Sequence, residues 1–220
     1  MIVVVGSPLV GLTETGLRAA GMASGIARAA AAAGAEVQVV GKVGEDPGGD
    51  AVLLDLAAGH VGHAAILRDP SRPTPATSAA PADEPVFDNG DADPTTPDDR
   101  DSMTAAVGLS LEPADIELAL RYLPEYRVLV VADSLGEPSL RVALAAASWN
   151  GAALVVIVPT GSKQPAAGDD ATVIEAPRDD PDDAFAGIVG AYAAAIDRGE
   201  EPAEAFASAS STLGWSAFGD

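Results

Sequence analysis

The chain has 220 residues and a net charge of −21, from 33 acidic against 12 basic residues, and this length suits one domain with an ample core. Long-range repulsion by so acidic a surface excludes nucleic acid and anionic membranes as expected partners. The absence of cysteine excludes disulfides, thiol nucleophiles and zinc fingers.

The first predicted elements are two buried strands with a helix between them. Residues 1–5 form an apolar run that ends at Gly6 and indicates a buried strand. Residues 24–33 are small and predict a helix that ends at Gly34, and residues 37–40 predict the second strand. No basic leader precedes the first strand, and no apolar run approaches the roughly 18 residues of a membrane helix. We therefore expect a cytoplasmic protein.

A proline-rich segment follows over residues 69–102. It contains seven prolines, is rich in Asp and Ala, and lacks apolar periodicity, which is typical of a flexible loop. Within it, residues 88–93 suggest calcium binding but lack the Gly and Glu that an EF-hand loop needs. His60 and His63 have a spacing compatible with one helical face but no third ligand, so we interpret them as surface residues. We predict no metal site.

The second half of the chain alternates helices and strands. The predicted helices cover residues 112–123, 139–147 and 201–213, and the predicted strands cover residues 128–131, 153–158 and 171–174. This alternation favours a mostly parallel sheet covered on both faces. We therefore expect a single domain over residues 1–220 with a three-layer α/β/α architecture. Ligands bind beyond the carboxyl ends of such strands, so Asp133 is a candidate binding residue.

One further helix follows the last strand. Asp180 can cap it, Pro181 suits the first helical position, and Asp182 and Asp183 place negative charge where the helix dipole favours it. Apolar residues then recur at three- and four-residue spacing and define one buried face: Phe185, Ile188, Val189, Tyr192 and Ile196. Gly199 marks the expected end of the helix.

The start of this helix resembles the C-terminal signature of the ribokinase (PfkB) carbohydrate kinase family, Asp-Thr-x-Gly-Ala-Gly-Asp-Ala-Phe. Asp183, Ala184 and Phe185 match its final Asp-Ala-Phe, and Gly187 matches a glycine commonly found shortly after it. In the family, the Gly-Ala-Gly amides form an anion hole for the transferred phosphoryl group and the Asp takes the substrate hydroxyl proton. The resemblance therefore implies that Asp183 is the candidate catalytic base.

A second resemblance lies near the N-terminus. Residues 40–46 and Gly49 closely follow the family's Val-Gly-x-Val-Gly-x-Asp-x-x-Gly. The resemblance implies a ribokinase-like fold and a substrate site that includes Gly21, Gly41, Lys42 and Asp46. Asp133 is the further candidate at this site.

The chain also departs from the family at several positions. Asp180, Pro181 and Asp182 stand where the family has Gly-Ala-Gly, so the cofactor-binding positions Asp180, Asp182 and Gly187 form a degenerate anion site. Like charges near 4 Å cost about 1 kcal/mol in water and roughly 4 at a partly shielded surface, against a helix-end attraction of about 0.3 to 2 kcal/mol. The family's sugar-binding motif falls on residues 20–25, without its Lys and Asn. The chain is also shorter than family members, which predicts a reduced or absent lid.

Three functions follow. The first is a pseudokinase, a degenerate ribokinase-fold protein that binds a small metabolite or a protein partner, with no cofactor expected. The second is an active ATP-dependent kinase for a sugar or nucleoside, with Asp183 as base and Mg²⁺ screening the added carboxylates. The third is an unrelated enzyme on a similar sheet. The sequence does not decide whether the chain forms a homodimer.

Overall fold

The structure is a computed structural model and describes residues 1–14, 16–77, 109–162, 167, 171–178, 180 and 183–212. In chain order its elements are β1 (Ile2–Val5), β2 (Leu9–Thr13), β3 (Gly16–Ala20), α1 (Gly21–Ala32), β4 (Val37–Gly44), α2 (Pro47–Ala58), β5 (Gly62–Asp69), α3 (Pro113–Tyr122), β6 (Val128–Val131), α4 (Glu137–Asn150), β7 (Ala153–Pro159), β8 (Ala171–Ala176), α5 (Ala184–Asp197) and α6 (Pro202–Thr212). No helix in these ranges is both long and apolar enough to cross a membrane.

Six of the strands form one sheet in the order β5-β4-β1-β6-β7-β8. Every neighbouring pair in it is parallel. The alternate side chains of β1 enter two separate cores: Ile2 and Val4 pack with α1 and α5, while Val3 and Val5 pack with α3 and α4. Because β1 is buried on both faces, it is apolar at every position. The predicted three-layer α/β sandwich is confirmed.

Most of the predicted elements lie where their patterns place them. The strand over residues 128–131 has the predicted bounds, and α3 and α4 cover the predicted helices to within three residues. The strand predicted over residues 37–40 continues to Gly44. The helix predicted from residue 24 begins three residues earlier, at Gly21. Helix α2 and strand β5 were not predicted.

A small antiparallel hairpin, β2–β3, stands apart from the main sheet. Val10 in β2 also pairs with the chain that follows β5: its amide donates to the Pro75 carbonyl at 2.8 Å, and its carbonyl accepts from the Thr77 amide at 2.9 Å. The reduced or absent lid stays a prediction. The remainder of the proline-rich segment, residues 78–102, lies outside the described residues, so its flexibility stays a prediction, as does the single-domain organisation.

Helices α1 and α5 pack unusually closely, and this contact positions the start of α5. A Cβ atom on Gly25 would lie 2.8 Å from the Ala186 Cβ, and one on Gly190 would lie 2.6 Å from the Ala29 Cβ. Such distances leave no room for a side chain, so glycine is required at both positions. The N-terminal end of α5 is thereby held against the first half of α1.

Candidate ligand site at the carboxyl edge of the sheet

The sheet has a topological switch point between β1 and β6. From β1 the chain proceeds to β4 and β5 on one side, and it then returns to β6, β7 and β8 on the other. Crevices at such switch points are the usual ligand sites of open α/β sheets. The residues at this edge are Gly6 and Ser7 after β1, and Asp133 after β6.

Asp133 lies at the switch point, where the sequence placed a candidate binding residue. Its Oδ2 accepts a hydrogen bond from the Ser7 amide. A Cβ atom on Gly6 would lie 2.8 Å from that same oxygen and 2.8 Å from the Ala23 Cβ, so only glycine fits beside it. Burial raises the pKa of Asp133, and the hydrogen bond from Ser7 offsets only part of this effect. A carboxyl group whose pKa is perturbed at a switch point is a candidate functional group.

Lys42 and Gly41 lie near the end of β4. The Lys42 Nζ is 2.8 Å from Oδ2 of Asp115 on α3, and the same carboxylate accepts from the Glu112 amide at 3.0 Å as part of the α3 capping box. The lysine therefore links β4 to α3. Gly41 is tightly enclosed, since a Cβ there would lie 2.6 Å from the Pro8 ring. A substrate-binding role for either residue stays a prediction.

Asp46 caps helix α2 and also binds Thr74 in the segment that follows β5. Its carboxylate accepts from the Gly49 amide, the Thr74 amide and the Thr74 hydroxyl, each at 2.7 Å. Hydrogen bonds from the Thr74 hydroxyl and the Gly49 amide hold the pKa of Asp46 below its usual value. Gly21 lies at the junction between β3 and α1 with a φ of +82°, and a Cβ atom there would lie 2.9 Å from the Leu9 Cγ. These surroundings give Asp46 and Gly21 structural roles, and substrate binding by them stays a prediction.

The start of α5 differs from the prediction in one respect. The helix begins at Ala184, and Asp183 occupies the N-cap position in a left-handed conformation with a φ of 53° and no side-chain capping bond. The Asp180 carboxylate provides the cap, because it accepts from the Phe185 amide at 2.9 Å and from the Ala186 amide at 3.0 Å. The Gly187 amide donates to the Asp183 carbonyl at 2.8 Å. Pro181 and Asp182 lie outside the described residues.

Asp183, the candidate base, is held by two arginines. Its Oδ2 lies 3.3 Å from an Arg28 Nη and 3.9 Å from an Arg18 Nη, and its side chain is 42% exposed. Arg28 also donates to the Ala19 carbonyl at 2.9 Å and to Asp55 at 3.1 Å. One guanidinium on α1 thus joins the hairpin, α2 and the start of α5.

Comparison with known proteins gives structural matches only. No family model and no curated protein matches the sequence. Among solved structures, a protein named Sa239 superposes with a TM-score of 0.66 at 15% identity, covering 100% of this chain and 95% of that one. A putative ribokinase II from E. coli gives 0.62 at 14% identity, covering 94% and 90%. Arabidopsis thaliana ribokinase complexed with ribose and ATP gives 0.61 at 13% identity, covering 96% and 90%.

The chain has a ribokinase-like fold. The resemblance seen in the sequence is thereby confirmed at the level of architecture.

Among the described residues at the start of α5, two first-turn amides are not available to a nucleotide phosphate. A helix N-terminus holds phosphate through free amides and positive potential. Here the Asp180 carboxylate accepts hydrogen bonds from the amides of Phe185 and Ala186. Asp183 places a second carboxylate nearby. Within the described ranges, no group of three or more His, Asp or Glu side chains could hold a metal ion. His60 follows α2 and His63 lies in β5, so the two do not share a helical face.

The sequence did not reveal Arg18, Arg28 and Asp55 as parts of this site. One signal was available, since Arg28 is the only charged residue in the otherwise small and apolar α1. An arginine that is isolated in this way has to find an acceptor when its helix packs against a sheet. Its two carboxylate partners, however, are 27 and 155 residues away along the chain.

Proposed function

We propose that the protein is a ribokinase-fold binding protein that takes a small polar metabolite and does not transfer a phosphoryl group from ATP. The proposal depends on one observation, the capture of two first-turn amides of α5 by the Asp180 carboxylate. These donors lie in the first turn of α5, just after positions 180–182 that align with the family's Gly-Ala-Gly. A carboxylate that already accepts both hydrogen bonds leaves neither for a phosphate oxygen.

Electrostatics supports the same conclusion. An incoming phosphate would meet Asp180 and Asp183 together, and repulsion of about 1 to 4 kcal/mol from each offsets a helix-end attraction of about 0.3 to 2 kcal/mol. Arg18 and Arg28 supply positive charge, but both already pair with Asp183, and Arg28 pairs with Asp55 as well. The protein's own carboxylates therefore offset both positive charges.

The geometry of Asp183 also argues against proton transfer. A general base must lie within hydrogen-bonding reach of the hydroxyl that it deprotonates. The Asp183 Oδ2 is engaged by Arg28 at 3.3 Å, so a substrate hydroxyl would have to displace or share this contact. The contact between Asp183 and Arg28 is that of a structural ion pair.

A metabolite site is supported by the switch point. Asp133 is partly buried there with a raised pKa, and among the described residues no Lys or Arg forms an ion pair with it. A ligand with hydroxyl or amino groups would supply the donors that a buried carboxylate needs. We therefore expect a polyol or an amino-bearing metabolite.

An active kinase is the second candidate. It is favoured by the position of Asp183, which matches the family's base and leaves 42% of its side chain exposed. A structural neighbour is also named as a ribokinase complexed with ribose and ATP. In this alternative, ATP and Mg²⁺ are required, and the metal screens the added carboxylates.

An acceptor-dependent ADP assay separates the two candidates. Wild-type protein and Asp183→Asn are incubated with Mg-ATP and a panel of sugars and nucleosides, and the same panel is tested for thermal stabilisation without nucleotide. The proposal predicts no ADP formation, and stabilisation by a panel member that is lost in Asp133→Asn. ADP formation that needs an acceptor and is lost in Asp183→Asn would overturn it.

A further inference from the structure

A groove runs between α3 and α4, on the face of the sheet opposite α1 and α5. Its volume is about 400 Å³, and Leu120, Val142, Ala145 and Ala146 contribute its apolar surface. The two alanines leave room for side chains of another molecule. Trp149 stands at the side of the groove with 90% of its surface exposed.

The apolar exposure of this face is unusual for so acidic a chain. The chain contains only two Trp, and one of them, Trp149, lies exposed at the groove. Helix α3 also exposes Leu118 and Tyr122, at 51% and 78%, outside the groove lining. Exposed apolar patches of this kind mark protein interaction sites, and Trp and Tyr dominate the energy of such interfaces.

The polar groups of the groove are already paired with one another. Arg121 donates to Glu117 at 2.6 Å, and the Asn150 amide donates to the Tyr126 hydroxyl at 2.9 Å and to the Ala146 carbonyl at 3.0 Å. A small-molecule site needs a few convergent polar groups that orient the ligand. The groove instead offers an extended apolar surface, which fits the apolar face of a helix.

The negative charge of the chain favours a basic macromolecule as the partner at this surface. Glu125 follows the groove residue Pro124 in an exposed turn and forms no ion pair within the part of the chain that the structure describes. Glu137 on α4 is 85% exposed but pairs with Arg141 at 2.8 Å, so Glu125 is the acid left for a partner. Two copies of a chain with a net charge of −21 repel each other, whereas a basic partner is attracted.

We infer that this groove binds a cationic amphipathic helix of a partner protein. The apolar face of that helix lies on Val142 and Ala146 and against Trp149, while its Lys and Arg side chains face Glu125. The groove shares no residue with the metabolite site at the sheet edge. The inference therefore stands independently of the proposed function.

The test uses the full chain with a synthetic amphipathic peptide of Leu and Lys as probe. In a Trp215→Phe background, Trp149 is the only tryptophan, and its fluorescence is expected to shift to the blue on saturable binding. With a labelled peptide, Trp149→Ala and Ala145→Glu are each expected to weaken binding by about 30-fold, the loss typical of an interface hot spot. Both positions are exposed, so these variants retain the fold.

The control is Leu54→Ala, which removes an apolar side chain that is 72% exposed on α2. It is expected to bind the peptide as the wild type does. The inference is overturned if both groove variants bind with unchanged affinity, because attraction would then be due to net charge alone. It is also overturned if a peptide with Glu in place of Lys binds equally well, or if sedimentation shows that the groove variants abolish self-association of the chain.

Discussion

The Asp180 carboxylate accepts the amide hydrogen of Phe185 at 2.9 Å across the turn that precedes α5. Its second oxygen accepts from the next amide, that of Ala186, at 3.0 Å. One side chain thus satisfies two of the donors that a helix N-terminus leaves unpaired. The carboxylate takes a position that suits an external anion, so its removal should have both structural and binding consequences.

Loss of this cap is expected to destabilise the protein. Asp180→Ala should lower the free energy of unfolding by about 0.5 to 2 kcal/mol, the usual cost of removing a helix cap. Asp180→Asn should cost less, because its amide oxygen can still accept one of the two hydrogen bonds. Urea unfolding measures both changes, with Glu14→Ala as the control for an exposed carboxylate. Equal stability of Asp180→Ala and the control would contradict the capping role.

Arg28 is expected to hold the hairpin and the start of α5 together. Arg28→Lys keeps the positive charge but cannot reach Ala19, Asp55 and Asp183 at once, because it lacks the guanidinium fork. We predict faster hydrogen exchange in β2, β3 and the first turn of α5, and a stability loss of about 1 to 3 kcal/mol.

The matched control for this variant is Arg141→Lys, in which the arginine pairs with Glu137 on an exposed helix surface. Exposed ion pairs contribute little to the free energy of unfolding, so Arg141→Lys should change it by no more than about 0.5 kcal/mol. Hydrogen exchange at the hairpin should not change in this control. If the two lysine variants behave alike, Arg28 does not link these elements.

The buried carboxyl group of Asp133 predicts a pH-dependent effect. Because burial raises its pKa in the folded state above the ordinary value of 3.8, folding is favoured when the group is protonated. This contribution is lost as the pH rises through 3.8 towards the raised folded value. Asp133→Asn removes the cost of ionisation while its amide oxygen can still accept from Ser7.

The variant should therefore gain stability relative to the wild type at about pH 7 and lose that advantage at about pH 3. Urea unfolding across this range measures the difference. If Asp133→Asn is more stable than the wild type by the same amount at both pH values, the substitution acts through packing and not through the charge of Asp133.

Elements whose residues are all buried could be predicted from the sequence. Residues 128–131 are four consecutive apolar residues inside the sheet, and their bounds were predicted without error. Strand β5 was missed because it is only partly buried at the sheet edge, so small and charged residues interrupt its pattern. The hairpin was missed for a similar reason, since β2 contains Gly11 and exposes Leu12.

The site was predicted in part. Asp180 was identified as a helix cap, and Asp183 as the residue at the start of α5. Sequence reasoning did not predict that Asp183 would adopt a left-handed conformation, which moves the helix start to Ala184 and lets Asp180 reach two amides. The pairing of Lys42 with Asp115 spans 73 residues of sequence. Contacts of this kind depend on how separate elements pack, which no local pattern contains.

Thermal unfolding with and without millimolar Mg-ATP tests the central claim most directly. A ligand at 100 times its dissociation constant stabilises the folded state by about 2.7 kcal/mol, which in a chain of this size raises Tm by about 5 to 11 °C. Because the protein's own carboxylate holds the amides of Phe185 and Ala186, we predict an unchanged Tm. A rise of that size would contradict the account, since it would show that the nucleotide binds despite Asp180.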